Sequence, residues 1–184
     1  MKKTLVMSLV LVGSVFAADY SNVIQHPNAS KMIKKDLLPP AKHFKMPAGC
    51  VSTNPASIAR GAFLFHNLNG KKAKKNPPKG ISRKQMKPGK TYLPGDKIPN
   101  KQYGNCIACH NIEGSNGPGN VGPSLVGYKA MFVDSGVRDA QYVYQQIADA
   151  RALNPETLMT INLANGLFNE SEVCDLTSYI LAPK

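Results

Sequence analysis

The chain has 184 residues, 23 Lys+Arg against 11 Asp+Glu for a formal net charge of +12, four cysteines and no tryptophan. That length holds one domain with a real core plus an extension, and no internal repeat divides it further. The apolar residues nowhere run long enough for a comfortable membrane span.

The N-terminus reads as an export signal. Lys2 and Lys3 form a basic n-region, residues 5–16 an apolar h-region, and Val15-Phe16-Ala17 a small-residue site cut before Ala18. No cysteine follows closely enough for lipid attachment, so the mature chain is expected to be a soluble periplasmic protein with no membrane contact after cleavage. Residues 18–53 then form an N-terminal extension, and residues 54–184 the main domain.

Asn54-Pro55 opens a helix expected over residues 55–67, in which Ile58, Ala62 and Phe65 recur at helical spacing. Residues 69–103 read as a basic insertion without an apolar period, rich in Lys, Pro and Gly. From 71 to 101 there are eleven Lys+Arg and a single acid, Asp96, whereas residues 104–184 carry four basic and eight acidic side chains. The excess basicity therefore belongs to one segment. Its composition suits either a docking element for an acidic partner, standing apart from the fold, or a solvated disordered loop. Nucleic acid is not an expected target outside the cytoplasm.

Cys106-Ile107-Ala108-Cys109-His110 follows, and C-x-x-C-H is the pattern at which haem c is covalently attached. Each sulfur adds to a haem vinyl group, and the adjacent histidine becomes the proximal iron ligand. A thioredoxin-like redox pair needs a βαβ setting that these flanks lack, and a zinc site needs two more ligands at a second ordered spacing. One haem c per chain is the expectation, bound by Cys106, Cys109 and His110. It agrees with export, because the ligation takes place outside the cytoplasm.

A Gly- and Pro-rich loop spans 114–127. Asp139 then caps a helix expected to run to about residue 153, with Ala140, Val143, Tyr144, Ile147 and Arg151 along one stripe, stopped by Asn154-Pro155. A last helix is expected over 169–181, where Asn169 and Glu172 have the spacing of a capping box and Val173, Leu176, Tyr179 and Ile180 share a face. With three helices and no convincing strand, the fold class is all-α.

Cys50 and Cys174 remain. In an oxidising compartment the even remainder suggests a disulfide between the extension and the last helix; the alternatives are a buried free Cys174 and a Cys50 bonded to a partner chain.

This order of elements resembles class I cytochromes c. The resemblance implies that the first and last helices cross beside the haem, with Gly61 and Phe65 meeting Tyr179. Residues 121–127, Val-Gly-Pro-Ser-Leu-Val-Gly, look like the class I loop whose proline carbonyl accepts from the proximal histidine, which assigns that part to Pro123. Class I distal methionines stand just before the last helix. Met159, 49 residues after His110, has that position, and Met32, Met46, Met86 and Met131 do not. His26, His43 and His66 are the alternative ligands. The family's usual Met-Pro is Met159-Thr160 here.

Gly104 to His110, Gly119 to Leu125, Ile147-Ala148-Asp149-Ala150 and Asn154-Pro155-Glu156-Thr157-Leu158-Met159 together resemble SoxX, the monohaem subunit family of SoxAX complexes in bacterial sulfur oxidation. The likeness covers about residues 54–182 and leaves the insertion outside the pattern. It implies a SoxA-like cytochrome partner, a SoxYZ-like carrier whose cysteine receives thiosulfate, and a soluble cytochrome c as electron acceptor. The reading from residues alone also admits a free-standing periplasmic electron shuttle for an oxidase or peroxidase, or an enzyme with an open haem position.

Overall fold

A computed structural model describes residues 40–67, 76–86, 89–159 and 162–183. The export signal, His26, Met32 and Thr160 lie outside the described residues, as do Lys71, Lys72, Lys74, Lys75 and Lys87 of the basic segment.

Helix α1 is Pro55–His66, α2 is Ala140–Asp149 and α3 is Glu170–Leu181. Short turns stand between them: a 3₁₀ turn at Cys106–Ala108, a π-helical turn at Lys129–Val133 and a 3₁₀ turn at Ala150–Ala152. Among the described residues there is no strand, only an isolated antiparallel bridge between Lys84 and Asn100. The chain is therefore helical, in keeping with an all-α fold.

Local chemistry sets the helix starts. Asn54 Oδ1 accepts from the Ala56 N–H at 2.8 Å, with Pro55 in the first turn, where its missing N–H costs nothing. Asp139 Oδ1 accepts from Tyr142 N–H at 2.7 Å. At α3 both halves of the capping box form: Glu172 N–H donates to Asn169 Oδ1 (2.9 Å), and Asn169 N–H to Glu172 Oε2 (3.1 Å).

Helix α2 stops four residues before the expected 153. Asp149 leaves helical geometry, and its carboxylate accepts from the Arg151 N–H (3.2 Å), capping the next 3₁₀ turn instead of prolonging the helix. That carboxylate is wholly buried and also holds the Arg151 guanidinium (2.9 Å) and the Lys42 N–H (3.1 Å). Burial raises the cost of its charge, yet these donors outweigh it and keep the carboxyl below the usual range.

Helices α1 and α3 cross in close contact. A Cβ on Gly61 would lie 2.0 Å from the Asp175 carbonyl oxygen and 2.6 Å from Tyr179 Cβ, so only glycine lets the two backbones approach this far. Beside it Phe65 tilts against Tyr179, ring centroids 5.6 Å apart, so Gly61, Phe65 and Tyr179 do meet. The crossing also has a polar clamp, in which Asp175 takes both Arg60 Nε (2.6 Å) and Nη2 (2.8 Å) and the Ser57 hydroxyl (2.6 Å).

From residue 42 to residue 46 the extension lies extended along α2 and is read through its main chain. Phe44 N–H donates to Gln145 Oε1 (2.6 Å) and Met46 N–H to Gln141 Oε1 (2.7 Å), while the two amide groups return bonds to the Lys42 and Phe44 carbonyls (2.9 and 2.8 Å). Phe44 and Met46 turn into the core. The segment ends on a disulfide: Cys50 and Cys174 are bonded, 124 residues apart, with Cα atoms 4.9 Å from each other. Closing a loop of that length is worth roughly 4–5 kcal/mol in the chain-entropy account.

The basic segment is not separate from the fold, which corrects the expectation that it stands apart. Ile81 is buried in the core, Tyr103 Oη donates to the Ser82 carbonyl (3.1 Å), and the Gln85 amide donates to the Gly166 carbonyl. Lys101, last of the lysine run, is only 8% exposed; its ammonium donates to Glu172 Oε2 at 2.7 Å and to the Leu167 carbonyl at 3.0 Å. Composition counts every lysine as a surface charge. This one is desolvated because the capping-box glutamate of α3 is there to meet it.

Gly61→Ala should disrupt the crossing, because the added methyl meets backbone and not a movable side-chain end. The expected loss is about 3 kcal/mol, at the upper end of overpacking costs, read as a lowered thermal unfolding midpoint. An unchanged midpoint would show that the helices are not packed as described.

Candidate haem site

The 3₁₀ turn at Cys106–Ala108 arranges the motif. Cys109 N–H and His110 N–H both donate to the Cys106 carbonyl (3.1 and 2.9 Å), so the chain curls through one tight turn. Side chains at i and i+3 eclipse in 3₁₀ geometry, so a turn of this kind favours Cys106 and Cys109 on one side. Both are free thiols, Cys106 half-buried and Cys109 exposed. Burial pushes the Cys106 thiol up to about 12, with a small further rise from Cys109 against a lowering backbone hydrogen bond. Burial outweighs the one interaction that favours its thiolate, the form that a redox dithiol would need.

Residues 119–125 lie along this turn, and every third N–H of theirs donates to every second carbonyl from 107 to 111. Gly119 N–H donates to Ile107 O (2.8 Å), Gly122 N–H to Cys109 O (2.8 Å) and Leu125 N–H to Asn111 O (2.7 Å). Glycine is required at the first two. A Cβ on Gly119 would fall 1.7 Å from the Ala108 oxygen, and one on Gly122 would fall 2.5–2.8 Å from Cε1, Nδ1 and Nε2 of His110. The imidazole is thus flanked by bare backbone.

Pro123 then presents its carbonyl to His110 Nδ1 at 2.8 Å. A carbonyl can only accept, so Nδ1 carries the proton, and in the neutral ring the Nε2 lone pair is left to bind metal. This is the arrangement by which an outer partner fixes the tautomer and orientation of a ligating histidine.

The site is closed from behind by α1 and the loop before α3. Gly104 packs so tightly against Leu64 O and Phe168 that a Cβ would lie 3.1 and 2.7 Å from them, and Tyr103 meets Phe63 edge-on at 5.1 Å. Lys101, with its buried ion pair to Glu172, holds the chain entering this stretch.

These residues fit a haem c. Two free cysteines three residues apart on a tight turn, an imidazole with Nδ1–H committed to a carbonyl, and glycines where the ring needs room make up the donor set that covalent haem attachment requires. A zinc site does not fit, because among the described residues no three His, Cys, Asp or Glu side chains converge.

Met159 is half-buried and packs against the core in the segment between α2 and α3. Its local geometry is built by polar neighbours. Asn154 takes the Glu156 N–H on Oδ1 and the Thr157 N–H on its carbonyl (both 3.1 Å), and Thr157 Oγ1 takes the Met159 N–H (3.1 Å). The Asn-Pro-x-Thr-x-Met pattern therefore codes a hydrogen-bonded turn that ends on the methionine. Met86 and Met131 are by contrast 51% and 53% exposed, Met46 packs from the extension against the core, and His66 Nε2 lies 2.6 Å from Tyr179 Oη.

Sequence reasoning missed three contributors: Gly119 and Gly122 as the cradle of the ring, and Lys101 as a buried anchor of the entering chain. The glycines stood in the loop pattern of residues 119–125 without an assigned part in it, and Lys101 carried no local signal. A scan against protein-family models finds no match to the chain, and a search of curated proteins finds none.

Gly122→Ala should drive a methyl into the His110 ring and break the bond to Pro123. Produced with export and haem-ligation machinery, this variant should yield at least about tenfold less haem-bearing protein, the scale on which outer-sphere partners of ligating histidines act. An undiminished yield would contradict the cradle.

Proposed function

We propose that this chain is an exported monohaem c-type cytochrome of the class I fold, acting as a one-electron relay in the manner of a SoxX subunit. The observation that carries this reading is the hydrogen bond from His110 Nδ1 to the Pro123 carbonyl inside a Cys-x-x-Cys-His turn. The crossing of α1 and α3 at Gly61 and Tyr179 supports the class I fold.

Bound haem supplies the one-electron couple; the chain's residues decide what it is used for. Cys106 and Cys109 would hold the group through thioethers, so that it would not be lost between oxidation states. His110, whose Nδ1 proton is committed to the Pro123 carbonyl, would bind it through Nε2. Met159 would offer a thioether as a second ligand, which would favour the ferrous state and leave no vacancy for substrate. The chemistry open to such a site is electron transfer.

The cysteine inventory points the same way. Sulfur transfer needs an available thiolate. Cys106 and Cys109 are committed to haem in this reading, and Cys50 and Cys174 are bonded to each other. Joining thiosulfate to the cysteine of a SoxYZ-like carrier would then take place on a SoxA-like partner. The present chain would receive the released electrons and pass them to a soluble cytochrome c in the periplasm.

Met159→Ala tests the relay reading. The long-wavelength methionine-to-ferric-iron band should vanish, and the reduction potential should fall by a sizeable part of the about 0.8 V range that axial ligands span. Survival of the band in Met159→Ala, with its loss in Met131→Ala, would overturn the ligand assignment.

A further inference from the structure

We propose that the exposed basic face built by residues 76–86 and 89–101 is a docking surface for an acidic redox protein, with Met86 and Leu93 as its apolar contacts. The proposal rests on the cytochrome reading and adds a partner surface to it.

The cations of this face are uncompensated. Lys79, Arg83, Lys84, Lys90 and Lys97 are all exposed, and among the described residues none has a carboxylate partner. The ion pairs of the fold use Arg60, Lys101, Lys129 and Arg151 instead. Asp96 is the single acid from 71 to 101, and its Oδ2 is taken by the Leu93 N–H at 3.0 Å. Within its own segment the positive field of this face is offset by that one carboxylate, which lines the same depression as Lys84 and Lys97.

The face is also held in shape, which a merely solvated charge run is not. Gln85 N–H donates to Pro99 O (2.9 Å) and Lys101 N–H to Arg83 O (3.0 Å), pairing 83–85 with 99–101, and Lys84 Nζ adds a bond to Asn100 Oδ1 (3.0 Å). Ile81 and Lys101 pin this pairing to the core. An ordered backbone presents its lysines at fixed positions and loses less entropy when a partner binds.

Apolar side chains stand among the charges. Leu93 is 68% and Met86 51% exposed, though burial in this core was available to Ile81 a few residues away. Like-signed charge speeds encounter with an oppositely charged protein, and small apolar contacts give the encounter a resting orientation. Cys106 is the fifth residue after Lys101, so the anchored end of the face lies within about 18 Å of the haem-bearing turn even if the chain were fully extended. A redox protein seated here is held next to the site with which it would exchange electrons. An anionic membrane would be attracted by the same charge, but it has no use for proximity to the haem turn.

The test is calorimetric binding of the full haem-bearing chain to an acidic plant-type [2Fe–2S] ferredoxin, at low and at high salt. The wild-type chain should bind at low salt and lose affinity steeply as salt rises. The combined variant Lys79→Glu, Lys90→Glu, Lys97→Glu should bind at least about tenfold more weakly at low salt, with its visible spectrum and unfolding midpoint unchanged. Leu93→Ser should weaken binding at every salt concentration. Should charge reversal harm folding, the neutral variant Lys79→Gln, Lys97→Gln should show the same loss in smaller measure. Equal binding by wild type and folded variants, or tighter binding of the wild type to phosphatidylglycerol vesicles than to the ferredoxin, would overturn the proposal. Because binding heat does not depend on electron transfer, a chain found without haem would refute the relay reading and still leave this result readable.

Discussion

The bond between His110 Nδ1 and the Pro123 carbonyl is the constraint from which the rest of the site follows. It fixes which ring nitrogen is protonated, and so which one can bind a metal. It forms only because Gly119, Gly122 and Leu125 hand their N–H groups to the carbonyls of the cysteine turn, which lays the loop against the imidazole at a set height. Any side chain at 119 or 122 would lift that loop, and Pro123 would lose its partner.

Three buried carboxylates organise the scaffold around this loop, each joining segments far apart in sequence. Asp175 fastens α3 to α1 through Arg60 and Ser57, and Glu172 fastens α3 to the chain entering the cysteine turn through Lys101. Asp149 fastens the end of α2 to both Arg151 and the extension at Lys42. Breaking a buried pair by removing one partner costs on the order of 3–5 kcal/mol, because the charge left behind has no water.

What the sequence revealed was what is local. Asn54, Asp139 and the Asn169–Glu172 box announce their helices because a cap and its target are within three residues of each other. The cysteine motif is equally self-contained. The end of α2 was misjudged because Pro155 signals an outer limit, whereas the actual stop comes from a side-chain bond of Asp149 that competes with the helix. Lys101 was unreadable for a different reason: its partner is 71 residues away, and nothing in a lysine-rich run distinguishes the one lysine that meets a buried glutamate. The extension was equally silent, since Gln141 and Gln145 recognise its main chain and leave no pattern in its side chains.

The central claim is that Cys106 and Cys109 carry haem on a turn whose histidine binds the iron. Intact-mass spectrometry of the chain, produced with export and haem-ligation machinery and denatured before injection, tests it most directly. The account predicts a mass greater than that of the processed polypeptide by one haem that survives denaturation, and its loss when both cysteines are replaced by alanine. A denatured chain at the bare polypeptide mass, with the Cys106 and Cys109 thiols open to alkylation, would contradict it.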